Sequence, residues 1–439
     1  MQKLFQALTM IFLVVSTVAV QARLTINITQ GVSQQIPVAV MPFSGAYPKN
    51  TEVPDGISYV IADDLRNSGR LAPQTKDFRQ KLNRVSEINW SKWSADYIVI
   101  GEVQDNGGSY DISYELVSKL SNSVLSARKF SNIKSNQLRS VAHTISNFIY
   151  EAITGSKGYF TSKLVYVDVE NPYDTKKAVY QLIVSDYDGF NPHVLLRQTK
   201  EPIMSPSWSK DGKTIAYVSY SRGNMAIYTI EVYTGQRKKV ASYQGINSSP
   251  AFSPDGNTLA MALSQGYSEN TNIYLMNLNN NKLYKKLTLN GINTAPAFSP
   301  SGKQLAFVSN RGGSPQIYIT DINSKYPSSE RLTYGPNQAF DPQYTPNGQN
   351  IVFMYQKDGN SGTQIAKVDL ATQKITVLTQ GQMDSSPSVS PDGNMIIYSQ
   401  GQVGGGANLA MVSIDGKVQI TLPSNTVGAV QSPAWSQMI

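Results

Sequence analysis

The nine-residue stretch SSPAFSPDG, residues 248–256, recurs along the second half of the chain. Related copies are MSPSWSKDG at 204–212, TAPAFSPSG at 294–302, FDPQYTPNG at 340–348, SSPSVSPDG at 385–393 and a shortened QSPAWSQMI at 431–439. The first proline of each copy falls 44 to 46 residues after the preceding one. This period is typical of four-stranded propeller blades and is longer than that of leucine-rich or ankyrin repeats.

Each repeat follows the strand order of one blade. Its first proline is predicted at the start of the first strand, where a missing N–H group is tolerated. SPDG or SPSG then predicts a tight turn whose glycine adopts a positive φ, as at Gly256 and Gly302. Apolar runs such as TLAMAL at 258–263 predict a second strand buried on both faces, and a third and a short fourth strand follow.

The two ends of the repeat region complement each other. Residues 163–199 have the pattern of the second, third and fourth strands of a blade without a first, and SPAWS at 432–436 has the pattern of a first strand alone. Joining them would complete one sheet and remove exposed edges that template aggregation. We therefore predict an all-β six-bladed β-propeller over residues 161–439, closed by the chain ends.

Residues 23–154 show a different pattern and are predicted to form an α+β domain. Short apolar runs such as DYIVIGEV at 96–103 predict strands. Apolar residues at helical spacing occur within 57–69 and 135–155, and each segment ends at a glycine suited to a helix C-cap. GSKGYF at 155–160 is predicted to be the linker to the propeller.

The first 22 residues have the pattern of a secretory signal peptide. Lys3 precedes an apolar run at 10–20, and a small-residue cleavage pattern ends at Ala22. A membrane-spanning helix needs about 20 apolar residues, and this run is shorter. The 439 residues include no cysteine, which excludes disulfides and thiolate chemistry. We predict a mature protein that is soluble in an extracytoplasmic compartment.

The sequence lacks the motifs that carry catalysis or cofactor binding, namely the nucleophile elbow, the Walker loop, the zinc-protease helix and the EF-hand. His143 lies beside an apolar helical stripe without a second ligand at metal-binding spacing and is predicted to be structural. Asp211, Asp255 and Asp392 occupy predicted turns. The net charge of +8 comes from scattered Lys and Arg residues, which indicates a solvated surface rather than a nucleic-acid site. We predict no enzyme activity, no cofactor and no metal.

A propeller without catalytic motifs is predicted to bind a partner. The loops before each first strand and those between second and third strands share one end of the ring, and they are longer and more variable than the tight turns. Function concentrates on variable loops held by a rigid scaffold. Residues around Ile246, Asn247, Thr294, Phe340 and Asp384 are therefore predicted to meet at the channel mouth and form a protein interface.

The chain as a whole resembles the periplasmic TolB family. The resemblance rests on RLTINITQG at 23–31, ADDLRNSG at 62–69, VSDYDG at 184–189, MSPSWSKDGKTIAYVS at 204–219, the SPDG repeats and the final SPAWS. It implies a non-catalytic periplasmic adaptor of the Tol-Pal system. Such an adaptor is a monomer that reaches the membranes only through its partners and serves outer-membrane integrity and invagination during cell division.

The resemblance also implies a binding site for each of two partners. The site for the periplasmic domain of TolA comprises Arg23, Leu24, Thr25, Ile26, Asn27, Ile28, Thr29 and Gln30. The site for the lipoprotein Pal comprises Met204, Ser205, Ile246, Asn247, Ser249, Asn293, Thr294, Phe340, Asp341, Asp384 and Ser385. Two of these positions depart from the family pattern, with isoleucine at 246 where relatives have histidine and serine at 249 where relatives have alanine.

Without the resemblance, two other functions would be open. One is a module that binds an envelope glycan, and the less favoured one is a propeller hydrolase. Retention of a protein from envelope fractions favours the adaptor, whereas retention by glycan alone favours the module. The hydrolase requires converging acids and bases in the channel or a second catalytic domain, and the sequence predicts neither.

Overall fold

The computed structural model describes residues 25–28, 35–45, 53, 56–75, 82, 84–199, 201–221, 223–264, 270–287, 290–324, 328–403, 405–422 and 428–438. The predicted signal peptide lies outside these ranges, as do Arg23, Leu24, Thr29 and Gln30 of the predicted TolA segment. Within the described ranges, no helix combines the length and apolar character needed to cross a membrane.

The N-terminal part contains two helices, α1 (Ile57–Asn67) and α2 (Leu138–Thr154). Its strands are β1 (Thr25–Ile28), β2 (Ile36–Val40), β3 (Ser44–Gly45), β4 (Leu71–Gln74), β5 (Tyr97–Asp105), β6 (Tyr110–Ser118) and β7 (Ser123–Ile133). Single 3-10 turns lie at Val85–Glu87, Trp90–Lys92 and Ser135–Gln137.

All of these strands except β1 form one mixed sheet in the order β4-β2-β5-β6-β7, with β3 also paired to β5. β2 runs parallel to β4 and β5, whereas β5, β6 and β7 form an antiparallel meander. Side chains alternate across a strand, so Val38 and Val40 face the helices while Ala39 and Met41 face the 82–93 segment. The predicted α+β domain is confirmed.

Both helices end where the sequence predicts. Gly69 and Gly155 have φ values of 69° and 71°. This left-handed conformation is readily adopted by glycine and closes the helix C-terminus.

Among the described residues that follow α2, the regular structure consists of β-strands. Its strands are β8 (Lys163–Glu170), β9 (Val179–Asp186), β10 (His193–Thr199), β11 (Ile203–Trp208), β12 (Thr214–Ser221), β13 (Asn224–Glu231), β14 (Arg237–Ala241), β15 (Asn247–Phe252), β16 (Thr258–Leu263), β17 (Asn272–Asn277), β18 (Lys282–Lys286), β19 (Asn293–Phe298), β20 (Gln304–Ser309), β21 (Gln316–Asp321), β22 (Ser329–Arg331), β23 (Gln338–Tyr344), β24 (Asn350–Gln356), β25 (Thr363–Asp369), β26 (Ile375–Val377), β27 (Asp384–Val389), β28 (Met395–Gly401), β29 (Ala407–Ser413), β30 (Val418–Thr421) and β31 (Ala429–Trp435).

These strands form a β-propeller. Four four-stranded antiparallel sheets follow in chain order, β11 to β14, β15 to β18, β19 to β22 and β23 to β26. A further nine-stranded sheet contains β27 to β30, with β1 at its edge, and β31 joined to β8, β9 and β10. β31 pairs antiparallel with β8, from Ala429 opposite Val169 to Trp435 opposite Leu164.

The first strand of each repeat, which we call the inner strand, lines a central cavity of about 670 Å³. The prediction that its proline begins the strand was wrong. Pro250, for example, is the fourth residue of β15, and the register shifts between Ser248 and Ala251 around it. The proline thus occupies a β-bulge, which also tolerates a missing N–H group.

The residue before each of these prolines has a positive φ of 48° to 53°. These residues are Ser205, Ser249, Ala295, Asp341, Ser386 and Ser432. The same bulge therefore occurs in every inner strand, β11, β15, β19, β23, β27 and β31.

Candidate functional site

The propeller has two faces with different connections. We call the end that carries the tight turns between inner and second strands the turn face, and the end where the inner strands begin the loop face. In the turns, Asp211 and Asp255 accept hydrogen bonds from a preceding serine hydroxyl and from the backbone two residues later. The serine hydroxyls hold the pKa of both carboxyls below the usual value. The predicted turn role of these aspartates is confirmed.

The N-terminal domain is docked on the turn face. The hydroxyl of Tyr150 on α2 donates to Asp392 in the turn of the β27–β28 hairpin at 3.0 Å, and Asn394 donates to the Tyr150 oxygen at 3.1 Å. Gly69 lies against Met395 of β28, so both helix termini contact the same blade. The loop face is thus left free by this docking.

The segment 155–160, predicted to be a linker, is part of this contact. Tyr159 and Phe160 are fully buried, and their ring centroids lie 4.8 Å apart. Trp435 of β31 packs edge-on against Tyr159 at 5.4 Å and donates its indole N–H to Ser162 at 2.7 Å. The residues that connect the N-terminal domain to the propeller therefore also form the contact between them. A single apolar core runs from the domain into the propeller.

On the loop face, three apolar residues just before an inner strand are exposed. Ile246, Ile292 and Met383 expose 40%, 48% and 48% of their surface. The residue that follows each of them is polar and fully buried. These buried residues are Asn247, Asn293 and Asp384, which the sequence predicts as partner contacts. At these loop tips the apolar side chains are therefore exposed and the polar side chains are buried.

Hydrogen bonds explain the burial of the two amides. Asn247 donates to the carbonyl oxygens of Tyr243 and Gly245 and accepts from the Tyr243 amide. Asn293 donates to the carbonyl oxygens of Asn290 and Gly291 in its own loop and of Thr271 in the preceding blade, and it accepts from Arg311 at 2.8 Å. A buried amide with its bonds made fixes the loop conformation, so these residues shape the loop face rather than project from it.

Asp384 is also buried, but its carboxylate oxygens do not make a comparable set of hydrogen bonds. Its carboxylate lies against Gly381, where a side chain would come within 2.3 Å of the oxygens. Burial raises the pKa of this carboxyl above its usual value. Gly381 is therefore required for the Asp384 side chain to fit.

The other predicted Pal contacts fall into two groups. Met204, Thr294, Phe340 and Ser385 are half-buried near the start of their inner strands. Ser205, Ser249 and Asp341 are the bulge residues and line the central cavity. The structure therefore places the predicted set around one cavity mouth but at three depths.

Sequence reasoning missed most of the exposed apolar residues on the loop face. Besides Ile292 and Met383, these are Tyr173, Tyr243, Tyr334 and Val403. Tyr173 and Val403 lie in loops between second and third strands, and the Tyr173 hydroxyl accepts from the Gly406 amide at 3.2 Å. The repeated apolar-polar pair four and three residues before a proline, as in Ile246–Asn247 and Ile292–Asn293, was the available signal.

The N-terminal segment lies on the propeller rather than in the α+β sheet. β1 pairs antiparallel with β30, from Thr25 opposite Thr421 to Ile28 opposite Val418. It therefore forms an edge strand of the nine-stranded sheet, attached by four residues. A strand in this position presents its other backbone edge outward.

Charged residues meet in the buried contact between domain and propeller. We call this set the interdomain ion cluster, and its members are Asp64, Arg139, His143, Lys163, Asp186 and Asp188. No acidic residue stands at ligand spacing from His143 along the sequence, and its acidic partner, Asp64, comes from the other helix, α1. His143 Nδ1 lies 2.8 Å from Asp64 Oδ2.

Asp64, His143 and Asp188 bring one oxygen or nitrogen atom each within 4.8 Å of one another, and these residue types also occur in metal sites. Their atoms are engaged within the protein, however. Asp188 forms an ion pair with Arg139, and Asp64 accepts from the Tyr187 hydroxyl at 2.7 Å. The guanidinium supplies the positive charge that a metal would bring, so the set is an ion-pair network.

Comparison with known proteins agrees with this architecture. The family model described as TolB beta propeller domain matches residues 150–439, and the one described as TolB amino-terminal domain matches residues 24–123. A Tol-Pal system protein TolB of Francisella tularensis subsp. mediasiatica is 42% identical, covering 94% of this chain and 95% of the relative. One of Alcanivorax borkumensis is 42% identical over 96% of this chain and 95% of its own length.

A solved structure extends the comparison to three dimensions. The crystal structure of TolB from Acinetobacter baumannii has a TM-score of 0.82 and 31% identity to this chain, covering 94% of this chain and 100% of that one. The relatives are named for the Tol-Pal system rather than for a reaction. With both domain models, full-length relatives and a solved fold in agreement, the chain belongs to the TolB family.

Proposed function

We propose that this protein is a periplasmic adaptor of the Tol-Pal system. It binds the lipoprotein Pal through the loop face and the periplasmic domain of TolA through the N-terminal segment, in support of outer-membrane integrity and cell division. The observation that carries the proposal is the set of exposed apolar side chains on the loop face, opposite the docked N-terminal domain.

The chemistry of the loop face suits a protein partner. Ile246, Ile292 and Met383 stand at the tips of loops whose bases are fixed by buried polar residues. Exposed apolar residues on preformed loops favour association, since little conformational entropy is lost on binding. Asn247 and Asn293 support the interface by holding these tips rather than by touching Pal.

The N-terminal segment suits strand exchange. Its described part, β1, is held at an edge by four residue pairs with β30. An edge strand can leave one sheet and pair with another, because its main-chain groups make equivalent hydrogen bonds in both. TolA is proposed to bind Arg23 to Gln30 in this way.

The same proposal includes the architecture that the sequence predicts. The propeller is a six-bladed ring over residues 161–439, closed where β31 pairs with β8. Support comes from the six equivalent bulges and from that pairing. Residues 1–22 are the signal peptide, 23–154 the N-terminal domain and 155–160 the connection.

Calorimetric titration of the mature chain against separately purified Pal and TolA domains tests the two sites. Deleting residues 23–30 should abolish TolA binding and leave Pal binding intact. Ile246→Asp or Ile292→Asp should weaken Pal binding by about 1–3 kcal/mol, because a contact residue would bury an unpaired charge.

Matched controls lie on the turn face, where Lys303 and Gln349 are exposed. Lys303→Asp and Gln349→Asp should leave Pal affinity unchanged. Loss of Pal binding in these controls, with retention in the Ile246 and Ile292 variants, would place the interface on the other face. Retention of the protein by envelope glycan without either domain would favour the glycan-binding alternative.

A further inference from the structure

The interdomain ion cluster takes half of its members from each domain. α1 and α2 supply Asp64, Arg139 and His143, and β8, β9 and the turn after β9 supply Lys163, Asp186 and Asp188. Every member except Lys163 is buried, and the Lys163 side chain is 41% exposed. The N-terminal domain therefore meets the propeller through charges that are removed from water.

Buried charges are stable only when they are balanced and hydrogen-bonded. The cluster holds three carboxylates, at Asp64, Asp186 and Asp188, but its permanent cations are Arg139 and Lys163 alone. Arg139 pairs with Asp188 and lies 3.5 Å from Asp186, and Lys163 lies 2.5 Å from Asp186. With all three carboxyls ionised, one further positive charge is needed for neutrality, and His143 is the group in the cluster that supplies a positive charge by taking up a proton.

The position of the imidazole fits that requirement. Nδ1 faces Asp64, and Nε2 lies 4.0 Å from Asp186 Oδ2 with no hydrogen-bond partner among the described residues. In the protonated ring both nitrogens carry a hydrogen directed towards a carboxylate. In the neutral ring with Nδ1 protonated, the Nε2 lone pair would face the Asp186 carboxylate. Tyr187 closes the site, with its ring edge-on to His143 at 5.6 Å.

We propose that docking of the N-terminal domain on the propeller depends on a proton, with protonated His143 completing the interdomain ion cluster and its deprotonation loosening the contact. This inference does not depend on either partner of the proposed function. It concerns how firmly the N-terminal domain is held on the propeller in the isolated chain.

The direction of the pKa shifts agrees with the geometry. Burial lowers the pKa of His143, but the charge and hydrogen bond of Asp64, together with the charge of Asp188, raise it, and the net shift is upward. Burial likewise raises the pKa of Asp188, against the lowering effect of Arg139. A histidine with a raised folded pKa contributes stability that is complete below its unfolded pKa of about 6.5 and is lost as pH rises through the folded value. The cluster therefore fixes the domain at low pH and releases it at high pH.

Proton NMR of the whole chain tests the idea at the residue concerned. The sequence contains two histidines, His143 and the exposed His193 on β10, so His193→Gln assigns both ring signals. We expect the His143 signal to titrate at a higher pH in the folded chain than in the urea-unfolded chain. Titration at the same pH or lower in the folded chain would overturn the proposal.

Two variants test whether the proton on His143 controls the contact between the N-terminal domain and the propeller. Wild-type thermal unfolding should shift several degrees lower between pH 6 and pH 9, and His143→Gln should lose most of this dependence. Lys163→Gln removes a half-exposed cation and so is compatible with folding. It should move the His143 titration to higher pH, since the proton then balances more negative charge.

A pH profile that is the same in wild type and His143→Gln, or a His143 titration unmoved by Lys163→Gln, would overturn the proposal. So would stabilisation of the wild type, but not of His143→Gln, by added Zn²⁺, because the cluster would then be a metal site. Introduced cysteines on the two domains can be spin-labelled selectively, since the chain has no cysteine of its own. Their distance distribution should broaden as pH rises and stay narrow if the proposal is wrong.

Discussion

The turn face and the loop face are made by the same repeats, yet they differ in what fixes their sequence. On the turn face, a serine or threonine, then an aspartate, asparagine or serine, and a glycine with positive φ recur because one turn geometry favours them. On the loop face, connection length and composition vary, and apolar tips stand over buried amides. Uniform geometry thus provides a platform for docking the N-terminal domain, whereas variation provides a surface available to partners.

The largest effect is expected from a substitution at the aromatic centre of the contact between the N-terminal domain and the turn face. Trp435 is buried, stacks on Tyr187 at 6.3 Å and bonds Ser162. Trp435→Ala should destabilise the protein by about 3–5 kcal/mol through the cavity it leaves. Urea unfolding measures this. Met438→Ala, an exposed apolar residue near the same end of the chain, should change stability by less than about 0.5 kcal/mol. If Trp435→Ala changes the free energy of unfolding no more than the control does, the aromatic contact does not stabilise the fold.

An intermediate effect is expected from a buried amide on the loop face. Asn293→Ala removes the bonds that hold its loop and leaves the Arg311 contact unmade. We expect a loss of about 1–3 kcal/mol in the free energy of unfolding. Asn290→Ala, in the same loop but exposed, should have almost no effect. Equal stability of both variants would show that the amide does not shape the loop.

The smallest effect compares one turn position in two blades. Asp255 and Asp392 make the same turn bonds, but Asp392 also accepts from Tyr150 of the docked domain. Asp392→Ala should therefore be less stable than Asp255→Ala by about 0.5–1.5 kcal/mol, the worth of one hydrogen bond. Thermal or urea unfolding of the two variants at neutral pH gives the difference. Identical losses would place the docking energy elsewhere.

The repeat period and the apolar runs were sufficient to predict the strands, since strand burial and turn chemistry act over a few residues. The bulge was not predictable in this way. A proline is compatible with a strand start or with a bulge, and the inner-strand register that decides between them is a property of the assembled sheet. The strand 247–252 was therefore recognised while Pro250 was placed wrongly within it.

Residues that meet from distant parts of the chain were predicted least well. His143 finds Asp64 from α1 and Asp186 from β9, a combination that no local spacing reveals. Tyr159 and Phe160 looked like linker residues because glycines stand beside them, yet the domain contact buries both. The residues predicted as partner contacts lie towards one end of the inner strands, but the buried amides among them were chosen by position along the chain and not by exposure.

The pairing of β31 with β8 has a consequence for the order in which the molecule is made. Trp435 and Ser162, which bond across this junction, are 273 residues apart in sequence. Synthesis delivers β8, β9 and β10 long before β31, the strand that pairs with β8, so β8 keeps an open edge until β31 is made. Contacts of such long range close slowly, because chain entropy must be lost before they form. The seven residues of β31, Ala429–Trp435, therefore govern the time during which the newly made chain is open to aggregation.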